Sequence, residues 1–269
     1  MKIILVTILL TCFQLYGLNI EEGMTKIFTI SPGEKFSDVL KITNEKEVPE
    51  EIKLYQTDYS FNHEGGKQYP EPGTLPRSNA KFITFNPHQV MIPPETTIEI
   101  DYTIIFPDSL EDIPLTGTFW SMLMVEGITQ GSIESESFDP DSEEPRMKMG
   151  ISFRYAIQMI THIEESGIRE LNFMETKIVN EEDGKFLQID IENTGERYLN
   201  PSLSLEIYDS NGMYIKKLTA NSSRIYPQTS KRFKIELEGI KSGKYQVLIV
   251  ADAGGDDIFG INYTLDIRK

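Results

Sequence analysis

The stretch "GISFRYAIQMITHI", residues 150–163, decides how the rest of the chain is read. Ile151, Phe153, Tyr155, Ile157 and Met159 fall on one side of an extended chain, and Ser152, Arg154, Ala156 and Gln158 on the other. That period of two is the signature of a β-strand. A helical face through Ala156, Met159, Ile160 and Ile163 is the rival, but the unbroken alternation before Ala156 favours the strand. Continued through Thr161 and Ile163, the stripe spans about 13 residues, roughly 43 Å, against about 5–6 residues for an ordinary strand. The extra length needs something to face.

Outward from this stretch, the chain is a succession of short alternating segments broken by Pro, Gly, Asn and Asp. "TTIEIDYTII" aligns Ile98, Ile100, Tyr102 and Ile104; "PSLSLEIYDSNG" aligns Leu203, Leu205 and Ile207; "KRFKIELEG" aligns Phe233, Ile235 and Leu237. "GKYQVLIVADAGGDDIFGINYTLDI" is two strands around the Gly254-Gly255 turn. A break near residues 164–171 leaves seven or eight strands on each side, the content of one immunoglobulin-like sandwich of about 100 residues. The expectation is an all-β chain: residues 1–17 a signal peptide, 18–166 one sandwich, 167–269 a second, with no long helix.

The N-terminus "MKIILVTILLTCFQLYGLNIEE" has one Lys, an apolar core from Ile3 to Phe13, then small and polar residues, which is the pattern of a secretory signal cleaved after Gly17. A rival reading takes "LLTC" as a lipoprotein signal with Cys12 lipidated. Cys12 is the only cysteine, so cleavage after Gly17 leaves a mature chain with no disulfide and no thiol nucleophile. No later stretch approaches the ~18 apolar residues of a membrane helix. The expected location is periplasmic or otherwise extracytoplasmic. With 42 Asp+Glu against 26 Lys+Arg and a formal charge of −16, nucleic acid is excluded as a partner by repulsion.

No nucleophile–base or metal constellation is visible in the sequence, and a glycosidase-like pair of carboxylates stays open because its separation is set by the fold. His63, His88 and His162 lie in separate segments, no G-x-S-x-G elbow is present, and the acidic runs around Asp139–Glu144 and Asp252–Asp257 lack the spacing of a Ca²⁺ loop. The acidic segment 130–148 reads as a solvated loop. Expected, therefore, is a non-enzymatic protein with no cofactor and no metal. Trp120, the only tryptophan, alternates with Met122 and Met124 opposite Phe119, Leu123 and Val125, as in a central strand covered on both faces. Asn221-Ser-Ser223 and Asn262-Tyr-Thr264 match the glycosylation sequon, which matters only on a eukaryotic secretory path.

The order of segments resembles a known family. "ISPGEKFSDVLKITNEKEVPEEIKLYQTDYSF", "RSNAKFITFNPHQVMIPPETTIEIDYTIIFP" and "GTFWSMLMVE" are similar to the first sandwich of the periplasmic pilus-chaperone (PapD-like) superfamily. The second half, "IENTGERYLNPSLSLEIYDSNG" through "RIYPQTSKRFKIELEGIKSGKYQVLIVADAGG", resembles the further sandwich of exported bacterial relatives. The resemblance implies that strand 150–163 adds to an unfinished secreted or fimbrial-type subunit, offering Ile151, Phe153, Tyr155, Ile157 and Met159 as an apolar stripe. It implies also that Arg154 and Lys26 together hold the subunit's terminal carboxylate. Two alternatives stand beside it. One reads the strand as long because it bridges the two domains, and the other reads the chain as a structural or adhesive envelope protein.

Overall fold

A computed structural model describes residues 17–128 and 153–268. The signal segment with Cys12, the acidic loop 130–148 and Ile151 lie outside the described residues. Among those described, one 3-10 turn at Ala80–Phe82 is the only helical element. The alternation quoted above produces strands because one face of each segment is apolar enough to bury and the other is not.

The first half contributes β1 (Leu18–Ile20), β2 (Thr25–Ile30), β3 (Lys35–Asn44), β4 (Glu50–Thr57), β5 (Ser60–Phe61), β6 (Lys67–Gln68), β7 (Ile83–Asn86), β8 (Gln89–Ile92), β9 (Thr96–Ile105), β10 (Gly117–Ile128) and β11 (Arg154–Ile163). They form a four-stranded sheet, β1-β3-β9-β7, a five-stranded sheet, β2-β11-β10-β4-β8, and the small β5-β6 hairpin. Between the two large sheets lies a core that includes Leu40, Ile42, Ile52, Ile100, Ile104 and Phe119, none more than 1% exposed.

The second half contributes β12 (Leu171–Glu181), β13 (Gly184–Asn193), β14 (Ser202–Tyr208), β15 (Tyr214–Ala220), β16 (Ser230–Glu236), β17 (Gly243–Asp252) and β18 (Ile258–Ile267). Sheets β12-β13-β16 and β15-β14-β17-β18 enclose a separate core around Leu187, Ile189, Leu205, Ile207 and Ile249. Both halves are immunoglobulin-like sandwiches. As expected, β10 is covered on both faces: Phe119, Leu123 and Val125 enter the first core, while Trp120 belongs to a third cluster with Ile160 and Tyr226.

That third cluster joins the sandwiches. Tyr226 lies in the segment between β15 and β16, and its ring stacks on Trp120. The seam continues along Gly117 and Thr118, where the Thr118 N–H donates to Glu196 O at 2.8 Å and Arg77 pairs with the Glu196 carboxylate at 3.2 Å. Gly117 has φ +73°, and a Cβ there would lie 2.2 Å from Glu196 O, so only glycine permits this approach. The β5-β6 hairpin touches the second sandwich through His63, whose backbone N–H donates to Ser230 Oγ at 3.0 Å.

Candidate protein-binding site

The alternation in β11 divides its side chains between two environments. Ile157 and Met159 are 0% and 1% exposed and sit in the first core with Ile163. Tyr155 is half-buried, and its hydroxyl donates to Leu18 O at 2.8 Å. Phe153 alone of the described stripe is open, at 47% exposure. This corrects the expectation of a stripe offered to a partner: Ile157 and Met159 fill the protein's own core, because the four-stranded sheet lies across that face. The opposite face carries Gln158, Ile160 and His162 into the seam with the second sandwich. Part of the strand's length is therefore accounted for by bridging.

Nor is β11 an edge strand along its whole length. It pairs antiparallel with β10 from Arg154 to Ile163, and parallel with β2 from Gln158 to Ile163. The β2 ladder begins at Gln158 opposite Thr25, so Arg154–Ile157 face no strand on that side among the described residues. Direction follows from two bonds. Gly127 N–H donates to Phe153 O, so odd positions bond to β10; Gln158 N–H donates to Met24 O, so even positions point to the β2 side. The N–H and C=O groups of Arg154 and Ala156 accordingly point to a side where no strand lies among the described residues, a short open edge in that sense.

Arg154 and Lys26 do not converge. Lys26 is opposite Met159, five positions from Arg154, which is about 16 Å at strand rise and an odd number of residues, hence the opposite face. Each also has an acidic neighbour. Arg154 pairs with Glu126 at 2.8 Å, and this bond holds the Glu126 carboxyl below its ordinary range. Lys26 is buried and pairs with Glu22. A shared carboxylate clamp from these two residues is overturned by the register.

A different cation stands where the open edge ends. Arg224 Nη1 donates to Thr25 Oγ1 at 2.7 Å and to Gln158 Oε1 at 3.0 Å, and the Tyr226 hydroxyl donates to the same Gln158 oxygen. Burial pushes the Tyr226 hydroxyl up, so it remains a protonated donor. Arg77, Arg154, Arg169, Arg197, Arg232 and Arg268 each meet a carboxylate. Arg224 bonds only neutral oxygens among the described residues. Sequence reasoning missed it because it lies in an irregular segment, "NSSRIYPQ", with no periodicity to place it; an arginine two residues before a tyrosine was the only signal.

His162 lies four residues beyond Gln158 on the same strand and the same face. Its Nδ1 lies in a hydrogen bond 2.8 Å from Thr118 Oγ1, and that hydroxyl oxygen also accepts the Tyr198 N–H at 2.9 Å. Burial, with the Arg197 charge, lowers the imidazole to about 4. Among the described residues no group of three or more His, Cys, Asp or Glu could hold a metal ion. No helix among them is long and apolar enough to cross a membrane.

No family model matches the chain, and no curated protein matches it. Solved structures do align along most of its length. A chain of the chaperone–tip adhesin complex of CFA/I fimbriae aligns at 14% identity and TM-score 0.49, covering 92% of this chain and 98% of that one. The class 5 fimbriae chaperone CfaA aligns at 14% identity and TM-score 0.48, with the same coverage. The CupB2 chaperone of Pseudomonas aeruginosa aligns at 11% identity and TM-score 0.42, covering 91% and 98%. The strand order itself makes the fold a pair of immunoglobulin-like sandwiches.

Proposed function

We propose that the chain is an extracytoplasmic, non-enzymatic chaperone-like protein that accepts an extended segment of a secreted or surface-fibre subunit as an added strand. The observation that carries this reading is the edge at Arg154–Ile157, which among the described residues pairs with β10 on one side and with no strand on the other. An exposed edge offers a ladder of unpaired backbone groups and is covered in most proteins. A strand laid there would meet the first residues of β2 end to end at Thr25. Running parallel to β11, it would bring its terminal carboxylate to Arg224, Thr25 and Gln158, where a charge-assisted bond is available. Main-chain hydrogen bonds would set the register, as in other strand additions.

The test is Ala156→Pro. It deletes one N–H that points to the open side, a place where strands tolerate proline. The expected result is a folded variant by circular dichroism that no longer retains the subunit co-purifying with the wild type. Retention by the folded variant would contradict strand addition. Ile157 is unsuited to such a test, since a charge at a fully buried core position unfolds the sandwich.

A further inference from the structure

On the outward face of the five-stranded sheet, β4, β10 and β11 align in cross-strand rows. Lys53, Glu126 and Arg154 form one row, Tyr55, Met124 and Ala156 the next, and Thr57, Met122 and Gln158 the third. In the middle row the side chains shrink towards the open edge, from Tyr55 across Met124 to the single methyl of Ala156. The segment after β6 stands beside this row, with Tyr69, Pro70 and Pro72 facing it. Together they enclose a cavity of about 510 Å³. That is within the range of roughly 300–1,000 Å³ seen for small-ligand pockets, so it has room for one large side chain.

We infer that this cavity is a specificity pocket for one aromatic side chain of the strand added at Arg154–Ile157. The inference rests on the strand-addition reading. Residues side by side in neighbouring strands point to the same face, with the strands about 4.7–4.9 Å apart. The residue of the added strand beside Ala156 therefore points outward, in the same row as Met124 and Tyr55. Over any larger residue than alanine its path would be blocked. Over Ala156 an aromatic ring reaches the Met124 thioether and the Tyr69 ring, both favourable partners. Tyr69 is 52% exposed, so the contact removes apolar surface from water. Arg154 and Glu71 both line the cavity, and the Arg154 charge is already paired with Glu126 at 2.8 Å, so the lining gives an acidic side chain no net attraction at this position.

The probes are two fluorescein-labelled nine-residue peptides with free C-termini that alternate threonine with valine and differ only at the central outward residue, phenylalanine or alanine. Affinities are read by anisotropy for the wild type, Ala156→Leu and Tyr69→Ala, and amide shifts of Arg154–Ile157 by NMR. The expected result is at least about tenfold tighter binding of the phenylalanine peptide by the wild type, with the difference lost in Ala156→Leu and reduced in Tyr69→Ala. Equal affinity for both peptides, with the edge amides shifted, overturns the pocket and leaves strand addition standing. Tight binding of the phenylalanine peptide without shifts at the edge overturns strand addition and keeps the pocket as a separate aromatic site. Binding of neither peptide overturns both.

Discussion

Trp120 of β10 and Tyr226 of the second sandwich stack face to face, with ring centroids 4.8 Å apart and planes inclined by 15°. Trp120 Nε1 donates to Tyr59 O at 2.7 Å, so the indole is held from its edge as well as its face. Tyr226→Ala should cost about 3–5 kcal/mol, the range for loss of a buried aromatic ring. It should also shift the emission of this single tryptophan to longer wavelength. Tyr226→Phe keeps the stack and removes only the bond to Gln158, so its emission should stay near wild type. Denaturant titration with fluorescence detection checks both.

Gly117→Ala should destabilise by more than about 2 kcal/mol, since the positive φ is strained for alanine and the new Cβ meets Glu196 O. The denaturation midpoint should fall with little change in slope.

The seam should weaken in mild acid. His162 is held neutral in the folded protein at about 4, while the unfolded chain binds the proton near 6.5. The unfolded state then carries more protons between these values, so the stability His162 contributes is present above pH 6.5 and is lost as pH falls towards 4. The slope is at most about 1.4 kcal/mol per pH unit. Unfolding measured at pH 7.5, 6.5, 5.5 and 4.5 should show this loss in the wild type and a flatter profile in His162→Gln.

Arg224→Gln should weaken subunit binding by about 10–100-fold, the equivalent of one hydrogen bond to a charged group, while Arg154→Gln should leave it within about threefold. Affinity of the co-purifying subunit, measured for each variant by calorimetry, checks the contrast. Equal losses would return the carboxylate to Arg154.

Much of the fold was legible because strand alternation is a local signal. Ile98 to Ile104, Leu203 to Ile207 and the doubly apolar run from Phe119 to Val125 each name their own faces. What the alternation in β11 could not say is which sheet its apolar face would meet. Ile157 and Met159 look the same in sequence whether they enter their own core or a partner's. The seam was illegible for another reason: Trp120, Ile160 and Tyr226 come together from three separate segments. The clamp expected from Arg154 and Lys26 failed because parity and register between β2 and β11 are set by where β2 begins, which no residue type announces.

The open edge itself is tested most directly by residue-resolved amide hydrogen exchange on the free protein and on its complex with the co-purifying subunit. In the free protein the N–H groups of Arg154 and Ala156 should exchange fast, while those of Tyr155 and Ile157, bonded to β10, are protected. In the complex Arg154 and Ala156 should become protected as well. Slow exchange at Arg154 and Ala156 in the free protein, or no change there on complex formation, would contradict strand addition at this edge.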